Sequence, residues 1–146
     1  MDLADIKDTF EFFDSWEEKY KFIIELGKEL PDLDEQFKTD QYLVRGCQSQ
    51  VWLHHQIETA DNDSQGPETA RLVLHMDSDA FIVRGLIHIV TAAYADKSAQ
   101  QVADYDILGL FEELDLLAHL SATRGNGLRA MVDRIQHIAN AVQGTS

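Results

Sequence analysis

The chain is short of cysteine, proline and positive charge, and each shortage narrows its possible functions. Its 146 residues include one cysteine, two prolines and 12 basic against 26 acidic residues, a formal net charge of −14. A single cysteine excludes an internal disulfide and a metal or iron–sulfur site built from several thiolates. The acidic surplus repels phosphate backbones and anionic lipid, so we expect neither nucleic acid nor a membrane as a partner.

Long apolar runs are also missing. The longest, AFIVRGLIHIVTAAY (residues 80–94), is too short to span a bilayer and contains Arg84. The first residues, MDLADIKDTF, lack the basic and apolar regions of a signal peptide. We therefore expect a cytoplasmic protein, and its length predicts one domain over residues 1–146.

The amino-terminal third has a helical pattern. Ser15 and Glu18 have the spacing of a capping box, with the serine capping one free amide and the glutamate returning the bond. The helix that they begin should end at Pro31. A shorter helix is predicted before it, around residues 6–13.

Strand patterns follow. Three short stretches have β-branched or apolar residues in alternation, and this pattern predicts strands. They are YLVRG (42–46), QVWLHHQIE (50–58) and ARLVLHMD (70–77). The polar connection DNDSQGPE (61–68) has turn chemistry and predicts an antiparallel hairpin between the last two.

The remaining half is predicted to be helical. Residues 79–94 are apolar nearly all round, which is typical of a central buried helix, and Ser98 is the expected cap of the next one. One or two helical turns are expected in residues 109–120. The last helix has one apolar stripe: Leu128, Met131, Val132, Ile135, Ile138 and Val142. The predicted fold class is α+β, a small antiparallel sheet of about three strands with helices packed over it.

Metal and cofactor motifs are not evident in the sequence. The six histidines have no paired spacing, and neighbours His54 and His55 should point to opposite faces of a strand. No phosphate loop or dinucleotide motif occurs. We interpret Asp77 and Asp79 as residues that end a strand and cap the following helix. We therefore expect no metal and no cofactor.

The lone thiol lies in GCQSQVW (46–52). From the residues alone two interpretations stay open: Cys47 is a small buried hydrophobe, or it is a reactive thiol. Gly46 and the polar residues after Cys47 predict a turn between strands, where another protein can reach the thiol. Arg45 would favour the thiolate, the form that attacks sulfur.

Four sequence blocks carry a resemblance to a known family. The stretch RGCQSQVW (45–52) resembles the signature of the SufE family, sulfur acceptors that work with SufS-type cysteine desulfurases. Three further blocks resemble the family in order: WEEKYKFIIELGKELP (16–31), DSDAFIVRGL (77–86) and HLSATRGNGLRAM (119–131). The resemblance covers most of the chain and implies a SufE/NifU-like fold. The DNDSQGPE connection looks longer and more acidic than is usual in the family.

The resemblance implies that Cys47 is the persulfide acceptor. It would take sulfane sulfur from a SufS- or CsdA-type desulfurase, stimulate that enzyme and pass sulfur to a SufB-type scaffold or another acceptor. The pyridoxal phosphate would belong to the desulfurase, and this chain would be an accessory protein rather than an enzyme. Supporting roles in the loop or in partner contacts are expected for these residues: Arg45, Gly46, Gln48, Ser49, Gln50, Asp79 and Arg124.

Two alternatives come from other functional classes. A self-standing thiol enzyme would need a base near Cys47 and would lack an internal resolving thiol. An interaction module with an inert cysteine would depend on Cys47 for packing only.

Overall fold

The structure, a computed structural model, describes residues 2–46, 49–58 and 71–143. The described part contains seven α-helices and two β-strands, in the order α1 Leu3–Phe12, α2 Trp16–Glu29, β1 Val51–Glu58, β2 Arg71–Ser78, α3 Phe81–Tyr94, α4 Ala99–Asp104, α5 Ile107–Glu113, α6 Leu116–His119 and α7 Ala122–Gln143. Two short 3-10 helices, Glu35–Phe37 and Asp40–Tyr42, connect α2 to β1. The α+β class is confirmed.

The sheet is an antiparallel pair whose register runs from Val51 opposite Ser78 to Glu58 opposite Arg71. The prediction of about three strands was wrong for the described residues, because 42–46 is not a strand. Leu43 forms one isolated bridge with Trp52, and the chain then turns at Gly46, whose φ is +95°. A left-handed residue ends the extended conformation that a third strand would need.

Helix α3 lies at the centre of the core, as its all-round apolar pattern predicted. Ten of its residues are buried, and α2 crosses it so closely that a Cβ on Gly85 would overlap the Ile23 carbonyl. The stripe of α7 is also confirmed: Leu128, Met131, Val132, Ile135 and Ile138 are buried, and Val142 packs against the core. None of the helices in the described segments is long and apolar enough to cross a membrane.

The helix caps differ in part from the expected ones. Ser15 accepts a hydrogen bond from the Glu18 amide (3.2 Å), while the Glu18 carboxylate lies 3.4 Å from the Ser15 hydroxyl. Both reciprocal bonds of a capping box occur instead at the predicted cap Ser98, with Gln101 as its partner. The expectation that acids cap α3 was wrong, because Ala80 holds the N-cap position without a side-chain cap.

Asp77 is buried and forms an ion pair with Arg84 of α3. Its second oxygen accepts a hydrogen bond from the Leu33 amide (3.0 Å), and Arg84 Nε donates to the Gly27 carbonyl (2.9 Å). Burial alone would raise the pKa of Asp77, but two backbone amide donors and two nearby cations outweigh it and lower that pKa. The pair thus joins the end of β2 to α3, the end of α2 and the connection after it.

Replacing Arg84 with methionine should destabilise the protein strongly. The change leaves the buried Asp77 carboxylate without its guanidinium partner, with only the Lys38 ammonium still paired to it (3.4 Å), and removing one partner of a buried pair typically costs about 3–5 kcal/mol. Urea unfolding of Arg84→Met should show this loss, and the double variant Asp77→Asn/Arg84→Met should recover part of it. The control Arg71→Met breaks an ion pair with Asp96 whose side chains are 58% and 79% exposed, so it should cost at most about 1 kcal/mol. Equal losses for both single variants would contradict the assignment.

Candidate functional site

The predicted site is the segment around Cys47, between the second 3-10 helix and β1. Cys47 and Gln48 lie outside the described residues, so the structure bears on this site through the residues on either side. Arg45 and Gly46 come before the two residues, and Ser49 and Gln50 follow them.

The first end of the segment rests on α7. The Val44 amide donates to the Val51 carbonyl (2.7 Å), which is the last backbone bond to β1 before the turn. A Cβ placed on Gly46 would lie 3.1 Å from the Cβ of Ala130, and the φ of +95° is one that residues with side chains rarely adopt. A glycine facing a small residue therefore lets the chain turn directly against the helix.

The second end is bonded to the junction between β2 and α3. The Gln50 amide donates to Asp79 Oδ1 (3.1 Å), and the Asp79 amide donates to the Gln50 carbonyl (3.3 Å). Asp79 thus contacts the backbone of the segment rather than the first turn of α3. The two reciprocal bonds fix Gln50 relative to the helix that forms the core.

A small cavity of about 50 Å³ lies beside this second end. It brings Ser49 together with Arg124, two of the residues singled out from the sequence. Its walls come from α3 and from the first three turns of α7, and the full lining is Ser49, Val83, Leu86, Thr123, Arg124, Gly127, Leu128 and Met131. The cavity is therefore lined by apolar side chains together with one arginine, Arg124, and two hydroxyl residues, Ser49 and Thr123.

Arg124 is an exposed residue in the first turn of α7. Its Nη1 donates to the hydroxyl of Tyr20 on α2 (3.0 Å), and its amide donates to Ser121 Oγ (3.2 Å). The other predicted cation, Arg45, is exposed beside Gly46. Sequence reasoning missed Tyr20 and Ala130. Ala130 could have been found from the sequence, because a small residue next to the apolar stripe of α7 indicates a place where another segment can approach the helix closely.

Three of the six histidines, His54, His55 and His75, lie on the sheet and occupy both of its faces. His54 stacks on Phe37 with 3.9 Å between ring centroids and faces His75 across the strands. Burial lowers the pKa of His55, and the nearby charges of His54 and Arg134 lower it further. Within residues 2–46, 49–58 and 71–143, no group of three or more His, Cys, Asp or Glu side chains could hold a metal ion.

Comparison with known sequences gives one family over nearly the whole chain. Residues 4–139 match the model described as SufE, Fe-S metabolism associated domain. An uncharacterized SufE-like protein of Rhizobium etli is 44% identical over 94% of this chain and 88% of its own length. A second SufE-like protein, from Rhizobium meliloti, is 43% identical over 92% of this chain and 91% of its own length.

Comparison with solved structures supports the fold. The solution structure of a hypothetical protein from Thermus thermophilus superposes with a TM-score of 0.68 at 19% identity, covering 99% of this chain and 96% of the other. At that identity the likeness bears on the fold alone.

Gly46→Ala should destabilise the protein by about 1–2 kcal/mol, because the new side chain meets a left-handed backbone and the Ala130 methyl. Gly125→Ala is the matched control, since a Cβ there meets only the Leu117 side chain at 3.7 Å and alanine favours a helix. Chemical unfolding should show no loss of stability for the control. Ala130→Gly removes the steric contact but itself weakens α7, so in a double-mutant cycle Gly46→Ala should cost less in the Ala130→Gly background than in the wild type. A neutral Gly46→Ala would contradict the geometry of this turn.

Asp79→Ala should free the second end of the segment. Removing the carboxylate acceptor leaves the Gln50 amide without its bond, a loss of about 1 kcal/mol, so its hydrogen exchange should become several-fold faster. Asp8→Ala on the exposed face of α1 is the control and should leave that exchange rate unchanged. Unchanged protection of Gln50 in Asp79→Ala would show that the side-chain bond does not hold the segment.

Proposed function

Because the chain belongs to the SufE family, we propose that Cys47 is a sulfur acceptor that takes sulfane sulfur from a cysteine desulfurase. Family membership associates the chain with iron–sulfur metabolism and, in general terms, with such a desulfurase. The persulfide on Cys47, the stimulation of the desulfurase and the onward delivery are the finer parts of this proposal.

The transfer is an exchange between sulfur atoms. The Cys47 thiolate attacks the terminal sulfur of the desulfurase persulfide, and a bond forms between Cys47 Sγ and that sulfur. The bond between the same sulfur and the desulfurase cysteine breaks, and that cysteine leaves as a thiolate. The reactants are one thiolate and one persulfide, and so are the products. The exchange therefore needs no external oxidant or reductant.

The observation that carries the proposal is how the segment with the chain's only cysteine is held at both ends. Gly46 lies against Ala130, and Gln50 is bonded to Asp79. Ala130 belongs to α7 and Asp79 lies between β2 and α3, and all three of these elements pack into the core. Attachment at two points limits where a short segment can move and favours repeated presentation of one thiol to a partner.

Positive charge around the segment favours the reactive form of the thiol. Arg45 is two residues before Cys47, and Arg124 lines the cavity beside Ser49. Cationic surroundings lower the pKa of a cysteine and increase its thiolate fraction. These two arginines are the groups that we assign to this role.

The desulfurase would hold the pyridoxal phosphate and perform the carbon–sulfur cleavage, so this chain acts as an accessory protein and not as the enzyme. Removing sulfur from the desulfurase thiol also frees that enzyme for its next turnover. The acceptor after Cys47 would be a SufB-type scaffold or an equivalent sulfur acceptor.

Incubation with a SufS-type desulfurase and free cysteine should add single sulfur atoms to the protein, as read by intact mass under non-reducing conditions. Cys47→Ser should abolish the addition and reduce desulfurase turnover to the rate of the enzyme alone, because the acceptor atom is missing. Ser49→Ala keeps the thiol and should still accept sulfur.

Three results would overturn the proposal. A wild-type protein that gains no sulfur and leaves turnover unchanged would contradict it. Peroxide reduction or ester hydrolysis by the wild-type chain alone, lost in Cys47→Ser, would favour a self-standing thiol enzyme. A Cys47→Ser protein with unchanged stimulation would indicate an interaction module with an inert cysteine.

A further inference from the structure

Charge is distributed very unevenly along this acidic chain. Residues 1–35 contain twelve acids and four lysines, a formal charge of −8, whereas α7 contains three arginines and one acid, a formal charge of +2. The last helix is thus a positive element in a protein whose net charge is −14. It is also the helix on which the segment next to Cys47 rests.

Three exposed arginines differ from the other lysines and arginines in having no bonded partner within the described part of the chain. Arg45, Arg129 and Arg134 form no ion pair, hydrogen bond or ring contact with any residue that the structure describes. The remaining cations are engaged. Ion pairs hold Lys7, Lys21, Lys28, Lys38, Arg71 and Arg84, ring contacts involve Lys19 and Lys97, and Arg124 bonds Tyr20.

The three arginines surround one contact. Gly46 packs on Ala130 and Arg45 directly precedes Gly46, while Arg129 lies about 100° to one side of Ala130 around the axis of α7 and Arg134 about 40° to the other side. Arg134 follows Ala130 by one helical turn, roughly 6 Å along the axis. We call these three residues, Arg45, Arg129 and Arg134, the arginine face.

Guanidinium groups on a protein surface that have no partner in the described residues are suited to bind carboxylates of another molecule. The guanidinium is planar, always charged and matches a carboxylate with two parallel hydrogen bonds. The only acid on α7, Asp133, is exposed and makes no ion pair with an arginine in the described residues. At physiological salt the screening length is about 8 Å, so a docking partner responds to the local charge of this face more than to the net charge of the chain.

We infer that the arginine face docks an acidic patch on the cysteine desulfurase, beside the thiol that carries the sulfur. The inference rests on the proposed function and adds to it the chemistry by which the partner is recognised. Contact at this face would bring the desulfurase persulfide next to the residue that follows Gly46. The strongly acidic remainder of the chain would repel the same patch, so the charge distribution also orients the approach.

A second copy of this chain could offer similar chemistry, because residues 1–35 are rich in carboxylates. The two occupants differ in what they predict for the protein alone. Self-association would appear as a concentration-dependent mass in sedimentation equilibrium that Arg→Gln changes remove. A monomer that binds the desulfurase through the arginine face is the result that we expect.

The test compares two triple variants with the same net charge. Arg45→Gln/Arg129→Gln/Arg134→Gln removes the arginine face, and Lys7→Gln/Lys21→Gln/Lys28→Gln removes three cations of α1 and α2. Binding to the holo form of a SufS-type desulfurase is measured at low and at physiological salt. We expect the first variant to bind roughly tenfold more weakly, mainly through slower association, and to lose most of the salt dependence. The lysine variant should change Kd less than about twofold.

Each result has a distinct meaning. If the wild-type protein binds and accepts sulfur but the arginine variant matches the lysine variant, the arginine face is wrong while the proposed function stands. If the wild type neither binds nor accepts sulfur, both are wrong. Equal thermal unfolding of the two variants checks that any difference in Kd comes from the surface. Arginine-dependent self-association of the wild type would assign the face to a second copy and overturn the inference.

Discussion

The buried ion pair between Asp77 and Arg84 is the interaction on which the arrangement of the fold depends. A carboxylate and a guanidinium can remain charged in a core only where hydrogen bonds satisfy their other atoms. Here backbone groups supply those bonds, since Asp77 accepts from Leu33 and Arg84 donates to Gly27. All of these bonds can form at once only when β2, α3 and the end of α2 lie side by side, so the ion pair fixes the positions of these elements.

The candidate site begins two residues beyond this pair. Asp77 lies one residue before the end of β2, and Asp79 then stands at the junction with α3 and bonds Gln50. The other support, Ala130, belongs to a helix whose apolar stripe packs into the same core. The ends of the Cys47 segment thus contact residues that adjoin or belong to elements packed into the core, which suits a thiol that must meet a partner in a defined place.

The elements with a strong periodic pattern were predicted well. The all-round apolar α3, the striped α7 and the antiparallel pairing of β1 with β2 were each expected, because periodicity reports burial directly. The predicted turn at residues 61–68 lies outside the described residues. Two local features were predicted wrongly: the strand at 42–46 and the capping of α3 by acids. Residues 42–46 have strand composition but form a single bridge, since the φ of Gly46 turns the chain. Asp77 and Asp79 have cap composition, yet tertiary partners bind both of them, so burial and long-range hydrogen bonds outweighed a local preference.

The sequence by itself determined the family, the single thiol, the helical and strand periods and the uneven charge, because each of these is a property of residue type and local spacing. Only the tertiary structure decided which distant groups meet. Asp79 and Gln50 are 29 residues apart, Arg84 and Gly27 are 57 apart, and Arg124 and Tyr20 are 104 apart. The pairing of β1 with β2 brings Asp79 to Gln50, and the packing of α2 with α3 and α7 brings the other two pairs within bonding distance, so these contacts depend on the tertiary structure rather than on any local pattern.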